Sequence, residues 1–129
     1  MKKEIIIIVF IIAVITTLHI ITQKWSGDFF ESISEELTEL EDKIVDENVN
    51  DEEINKMVDE VQDKWRAKYD ILACFIEHDE LEKVSTQLIS ISANIRIKNY
   101  DRSVDEIEKC KFILKHIEEK DSLKFVNIL

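Results

Sequence analysis

The polar and apolar positions divide the chain into two unlike parts. From Ile5 to Thr22 the sequence reads IIIIVFIIAVITTLHIIT, with no formal charge and apolar side chains on every helical face. From Asp28 onward the apolar residues recur every three or four positions, the spacing of amphipathic helices with one buried face. Phe30, Ile33, Leu37, Leu40 and Ile44 predict a first helix over about 28–47. Ile54, Met57, Val58, Val61, Trp65, Tyr69, Leu72, Phe75 and Ile76 predict a second over about 51–77. Leu81, Val84, Leu88, Ile91 and Ile95 place a third over about 80–98. Val104, Ile107, Cys110, Leu114 and Ile117 place a fourth over about 102–119, leaving a tail at 120–129.

One-sided faces must bury against one another, and the short connections at 48–50 and 98–100 make successive helices antiparallel neighbours. The fold class expected is therefore all-α: an N-terminal transmembrane helix within residues 1–25, then an antiparallel bundle of about four helices over 26–129. Composition strengthens this. With one glycine and no proline, the chain lacks material for β-hairpins, Gly-rich phosphate loops and dinucleotide fingerprints.

The 18 residues of the apolar run form a helix of roughly 27 Å, close to the hydrocarbon thickness of a bilayer. Thirteen of them are Ile, Val, Leu or Phe, and each favours insertion by roughly 0.3–0.6 kcal/mol. Trp25, beside Lys24, suits an interfacial anchor. A cleaved signal would have a shorter apolar region and a small-residue cleavage site. The stretch TTLHIITQK has no such site, and no cysteine follows the run to accept a lipid. These features predict an uncleaved signal anchor. Lys2 and Lys3 precede the run, whereas Lys24 and then an acidic stretch follow it. The positive-inside bias then predicts a single-pass cell-membrane protein with a cytoplasmic N-terminus and an extracytoplasmic bundle in contact with the lipid bilayer.

The net charge of −11 is unevenly spread. Residues 28–63 hold fifteen carboxylates against Lys43 and Lys56, a net of −13, while residues 64–129 balance. Such a face repels phosphates, so nucleic acid is not an expected partner. It suits a solvated surface, a docking face for a basic partner or a weak divalent-cation buffer. No D-x-[DN]-x-[DN]-G loop points to a specific calcium site.

The stretch FIEHDELEKV carries most of the candidate chemistry. Asp79 with Glu82 has the spacing of a capping box, and the third apolar stripe begins at Leu81. His78 then sits at a corner, packed against helix four, with Glu80 complementing the positive helix start. The competing reading is a metal or acid–base site joining His78 and Glu80 to His116, with Glu77 and Glu119 nearby. Helical di-iron sites need Glu-x-x-His, but Phe75 and Ile113 stand three residues before the two histidines. The H-E-x-x-H pattern and any Ser–His–Asp or Cys–His signature are also missing. No cofactor and no enzymatic activity are expected. Cys74 and Cys110 lie on or beside apolar seams and suit buried thiols better than a disulfide. The final DSLKFVNIL should fold back, with Phe125 and Ile128 over the bundle end and Asn127 bonding a helix terminus.

Taken together, the apolar anchor, the acidic first helix, Trp65, IEHDELEKV and LKHIEEKDSLKFVNIL resemble a domain-of-unknown-function family of small single-pass helical membrane proteins from spore-forming Gram-positive bacteria. Its short motifs correspond to His78 with Glu80-Leu81, His116-Ile117 and Asn127-Ile128. Members are often encoded beside a YetF-like multi-pass membrane protein. The resemblance implies no activity, but it does imply an accessory role with such a partner. The function expected is a membrane-anchored, non-enzymatic interaction or accessory protein acting through an acidic bundle. The alternative is an extracytoplasmic ligand or metal-cation sensor at the His78/His116 end.

Overall fold

The computed structural model describes residues 1–46, 48 and 50–128, with side chains described through Asp121. Four helices fill it: α1 Lys2–Val45, α2 Asp51–Leu72, α3 His78–Arg96 and α4 Tyr100–Ile128, with no strand among the described residues. Helix α1 packs on α2 and α4, and α3 packs on the same two, so the helices stand at the corners of a square. Short connections turn each helix back along its predecessor. Lys43 pairs with Glu53 across the α1–α2 turn at 3.4 Å, whereas Trp25 meets Phe75 at the opposite end of the bundle.

The predicted stripes form the core. All five stripe residues of α3 are buried, with Phe30, Ile33, Leu37 and Leu40 of α1, Ile54, Val58, Val61, Trp65 and Leu72 of α2, and Ile107, Cys110, Leu114 and Ile117 of α4. Ile44, Met57 and Tyr69 cover its margin.

Where the sequence suggests an anchor followed by a separate helix, α1 is one unbroken element of 44 residues, about 66 Å long. Gly27 lies inside it. One glycine costs a helix interior about 1 kcal/mol, too little to break an element favoured on both sides. Ser26 is buried and returns its hydroxyl to the Gln23 carbonyl at 3.1 Å. Trp25, expected at the membrane interface, is half-buried. It stacks on Phe29 at 6.0 Å and meets Phe75 edge-on at 6.1 Å, so it belongs to the aromatic end of the bundle.

Three other helix limits differ from the sequence expectation. Helix α2 ends at Leu72 rather than near 77, and Cys74, Phe75 and Ile76 donate back to Ile71 and Leu72 carbonyls. That tight turn brings Ile76 into the core at 8% exposure. Helix α3 ends with Lys98 at φ 61, its amide on Ile95 and the next amide, of Asn99, on Asn94, the bonding of a Schellman cap. Lys98 also pairs with Asp51 at 3.1 Å, and Tyr100 donates to the same carboxylate. Helix α4 continues through the predicted tail to Ile128. No glycine or proline follows residue 119 to stop it. The side chains of Phe125, Asn127 and Ile128, expected to close the bundle end, lie outside the described residues.

Candidate functional site

The corner between α2 and α3 holds the histidine stretch, at the bundle end from which the apolar part of α1 emerges. His78 is the first residue of α3, and Glu77, not Asp79, is the N-cap. The carbonyl of Glu77 receives the amides of Glu80 and Leu81. Asp79 and Glu82 therefore do not form the expected capping box. Asp79 lies one residue inside the helix, where its charge complements the helix start without capping it. Side-chain caps form instead on α2, where Asn50 Oδ1 accepts from the Glu52 amide at 3.0 Å, and on α4, where Asn99 Oδ1 accepts from the Arg102 amide at 3.4 Å.

These positions set an expected contrast. Asn50→Ala should cost about 1 kcal/mol, the usual value of a lost cap. Asp79→Ala should cost no more than about 0.5 kcal/mol, an exposed charge near a helix end. Urea melts of the full chain in detergent micelles measure both, and equal losses would restore the capping role of Asp79.

Among the described residues, His78 takes its partners from α2 and from its own helix rather than from α4. Its Nδ1 lies 3.2 Å from the Tyr69 hydroxyl and its Nε2 3.4 Å from Glu82, while Tyr69 donates to Glu82 at 2.5 Å. The bond to Glu82, followed by burial, pushes the Tyr69 hydroxyl up to about 12. The phenol is the hydrogen-bond donor that links α2 to α3. The imidazole itself is largely exposed, at 69% of its side chain. Tyr69 appears in the sequence only as a stripe residue, because its hydroxyl partners, His78 and Glu82, are nine and thirteen residues away on another helix.

Glu80 turns inward beside this corner and is buried. Lys120 of α4 reaches both Glu77 and Glu80 at 3.4 Å, and Lys83 approaches Glu80 at 3.5 Å. The charge of Glu77, and its hydrogen bond, raise the Lys120 ammonium above its ordinary range. Phe75, Ile76, Glu77, Glu80, Ile117, Lys120 and Asp121 line a cavity of about 20 Å³, enough for roughly one water. Trp65 lies deeper, its indole N–H donating to Ser85 at 2.8 Å, and Leu81 is fully buried.

His116 is exposed and stacks on Phe112, with ring centroids 6.4 Å apart. The two imidazoles thus take separate partners, and the described residues contain no group of three His, Cys, Asp or Glu placed to hold a metal ion. Cys74 is exposed, contrary to the buried-thiol expectation, whereas Cys110 is buried; both are free. Burial pushes the Cys110 thiol up to about 12, leaving it protonated and unreactive at neutral pH.

The acidic excess is ordered on α1. Glu36 pairs with Lys64 at 3.4 Å and Glu41 with Lys111 at 3.2 Å, tying α1 to α2 and α4. Asp28, Glu31, Glu35, Glu39, Asp42 and Asp46 instead follow one exposed face opposite the buried stripe. The steps of three and four keep them in line for about 27 Å. None of the six has a Lys or Arg partner among the described residues.

A family described as a domain of unknown function, DUF4363, matches residues 20–128. No curated protein matches the chain, and no solved structure does.

Proposed function

The chain belongs to the DUF4363 family, and we propose that it is a membrane-anchored, non-enzymatic accessory protein that docks a basic partner through the acidic face of its bundle. The observation that carries this reading is the continuity of α1. The apolar window has a mean hydropathy of 2.9 and none of it is buried, yet Phe30, Ile33, Leu37 and Leu40 of the same helix lie inside the core. An apolar patch of this size exceeds what a monomer leaves in water. A bilayer covers it, and the bundle is then held on a rigid stalk.

The polar side chains of this part of α1 fit that environment. Thr17 and Thr22 return their hydroxyls to the Ala13 and His19 carbonyls at 2.8 and 3.0 Å, the local satisfaction that lipid requires. Lys2 and Lys3 orient the N-terminus to the cytoplasm, so the bundle lies outside the cell membrane. There the row from Asp28 to Asp46, without a Lys or Arg partner among the described residues, faces outward as a continuous negative surface. A multi-pass membrane protein of the YetF-like type, implied by the family resemblance, would lie within reach. Exposed carboxylates contribute mainly to steering and choice of partner.

A photo-crosslinking residue at Thr38, on the acidic side of α1, tests the docking face in native membranes, with Thr86 on α3 as the control position. Adducts are expected from position 38 and not from 86. They should fall at least tenfold when Glu31, Glu35 and Glu39 are changed to lysine. Equal adducts from both positions, or adducts indifferent to the charge reversal, would refute the acidic docking face.

A further inference from the structure

Where α1 leaves the bundle, a groove of about 340 Å³ opens between α1 and α4, lined by Ile20, Gln23, Lys24, Gly27, Asp28 and Glu118. We propose that this groove binds the head group of a zwitterionic phospholipid bearing a primary ammonium, of the phosphatidylethanolamine type, an inference that rests on the membrane-anchor reading of α1.

The order of groups along the helix matches such a lipid. Ile20, Lys24 and Asp28 are four residues apart and share a face, so they rise away from the apolar run in steps of about 6 Å. The groove therefore presents an apolar side chain, then a cation beside the Gln23 amide, then two carboxylates. An aminophospholipid extending from the bilayer presents acyl chain and glycerol, then phosphate, then ammonium. The two sequences are complementary at each level.

Lys24, Asp28 and Glu118 have no ion-pair partner among the described residues. Burial, followed by the charges of Glu31, Glu119 and Asp28, holds the Glu118 carboxyl above its ordinary range. An ammonium placed between Glu118 and Asp28 would relieve that repulsion. A primary ammonium also has N–H groups to donate to them, which a choline head group does not. An anionic phosphatidylglycerol head group offers no cation and meets a repulsive field.

Gly27 supplies the space. A Cβ at this position would lie 3.3 Å from Glu118 Oε1, so a side chain there would crowd the carboxylate and occupy the groove floor. This gives the chain's only glycine a role inside a continuous helix, where it otherwise weakens the element.

The full chain in nanodiscs of equimolar phosphatidylethanolamine and phosphatidylglycerol tests the proposal, with retained lipid counted by native mass spectrometry after gentle extraction. The expected preference for phosphatidylethanolamine is about fivefold, the scale of a single favourable ion pair at a partly covered site. Glu118→Gln with Asp28→Asn should bring it within about twofold of unity, and Lys24→Gln should lower it too. Circular dichroism verifies that each variant keeps its helices. Equal retention of the two lipids, or a preference unchanged in the double variant, overturns the head-group site. Flotation with vesicles of the same lipids separates the two readings. A chain that floats without lipid preference refutes the groove alone, whereas a chain that does not float refutes the anchor and the groove together.

Discussion

Trp65→Ala should cost the bundle about 3–5 kcal/mol, the usual penalty for emptying a large aromatic site in a core. Trp65 is 2% exposed, stacks on Phe29 at 6.1 Å and lies tilted against Phe30 at 6.3 Å, with Tyr69 edge-on at 6.4 Å. Its N–H also holds Ser85 of α3. One side chain thus joins α1, α2 and α3, so its loss leaves a cavity at their junction and an unanswered hydroxyl beside it. In a chain of this size the melting midpoint should fall by about 10–15 °C. Trp65→Phe retains much of the stack but gives up the hydrogen bond, and should cost about 1–2 kcal/mol. Thermal melts of the full chain in detergent micelles, followed by near-ultraviolet circular dichroism, measure both. A midpoint within two or three degrees of wild type for Trp65→Ala would show that the aromatic junction is not what holds the bundle.

Ile8→Lys combined with Ile12→Lys should release the protein from membranes. Each lysine at the centre of a span costs about 2.5–3.5 kcal/mol and removes an isoleucine that favoured insertion. The pair therefore opposes insertion by about 6–8 kcal/mol, comparable with the whole favourable contribution of the apolar run. Both positions are exposed, at 56% and 58%, and lie well before the first buried residue of α1, Ser26. The bundle should remain folded while the chain moves from the carbonate-resistant membrane fraction to the soluble one. A doubly substituted chain that stayed in the membrane fraction would contradict the anchor. A wild-type chain that washed off with carbonate would do so more directly.

The helices and their buried faces were legible in the sequence because both follow from local spacing. Leu81, Val84, Leu88, Ile91 and Ile95 recur with the helical period, and that period alone determines which side of α3 is apolar. The absence of proline, with a single glycine, excluded most alternatives to an all-α fold. The apolar Ile5–Thr22 run likewise declared an N-terminal helix of membrane-spanning length.

Helix limits were harder to read, because competing local signals differ by only about 1 kcal/mol. Asp79 and Glu82 have capping-box spacing, but packing Ile76 into the core starts α3 two residues earlier and takes Asp79 past the cap. The expected separation between the anchor and the first bundle helix does not form, because the propensity cost of Gly27 is smaller than the packing gained by Phe29, Phe30 and Ile33 on a helix already running from the apolar segment. Nothing in the chain after residue 119 signalled a stop, and α4 continued accordingly to Ile128.

The candidate sites depended on register between helices far apart in sequence. His78 and His116 suggested one cluster, but rotation about two helix axes gave one to Tyr69 and Glu82 and the other to Phe112. Lys120 reached Glu77 and Glu80, and Glu118 came beside Gly27, across separations of about forty and ninety residues. The sequence by itself determined which residues are apolar, charged or helical, since these are properties of each residue and its near neighbours. Only the tertiary structure decided which charges are neutralised and which remain open. That outcome depends on distances of a few ångströms between side chains, set by packing the four helices together.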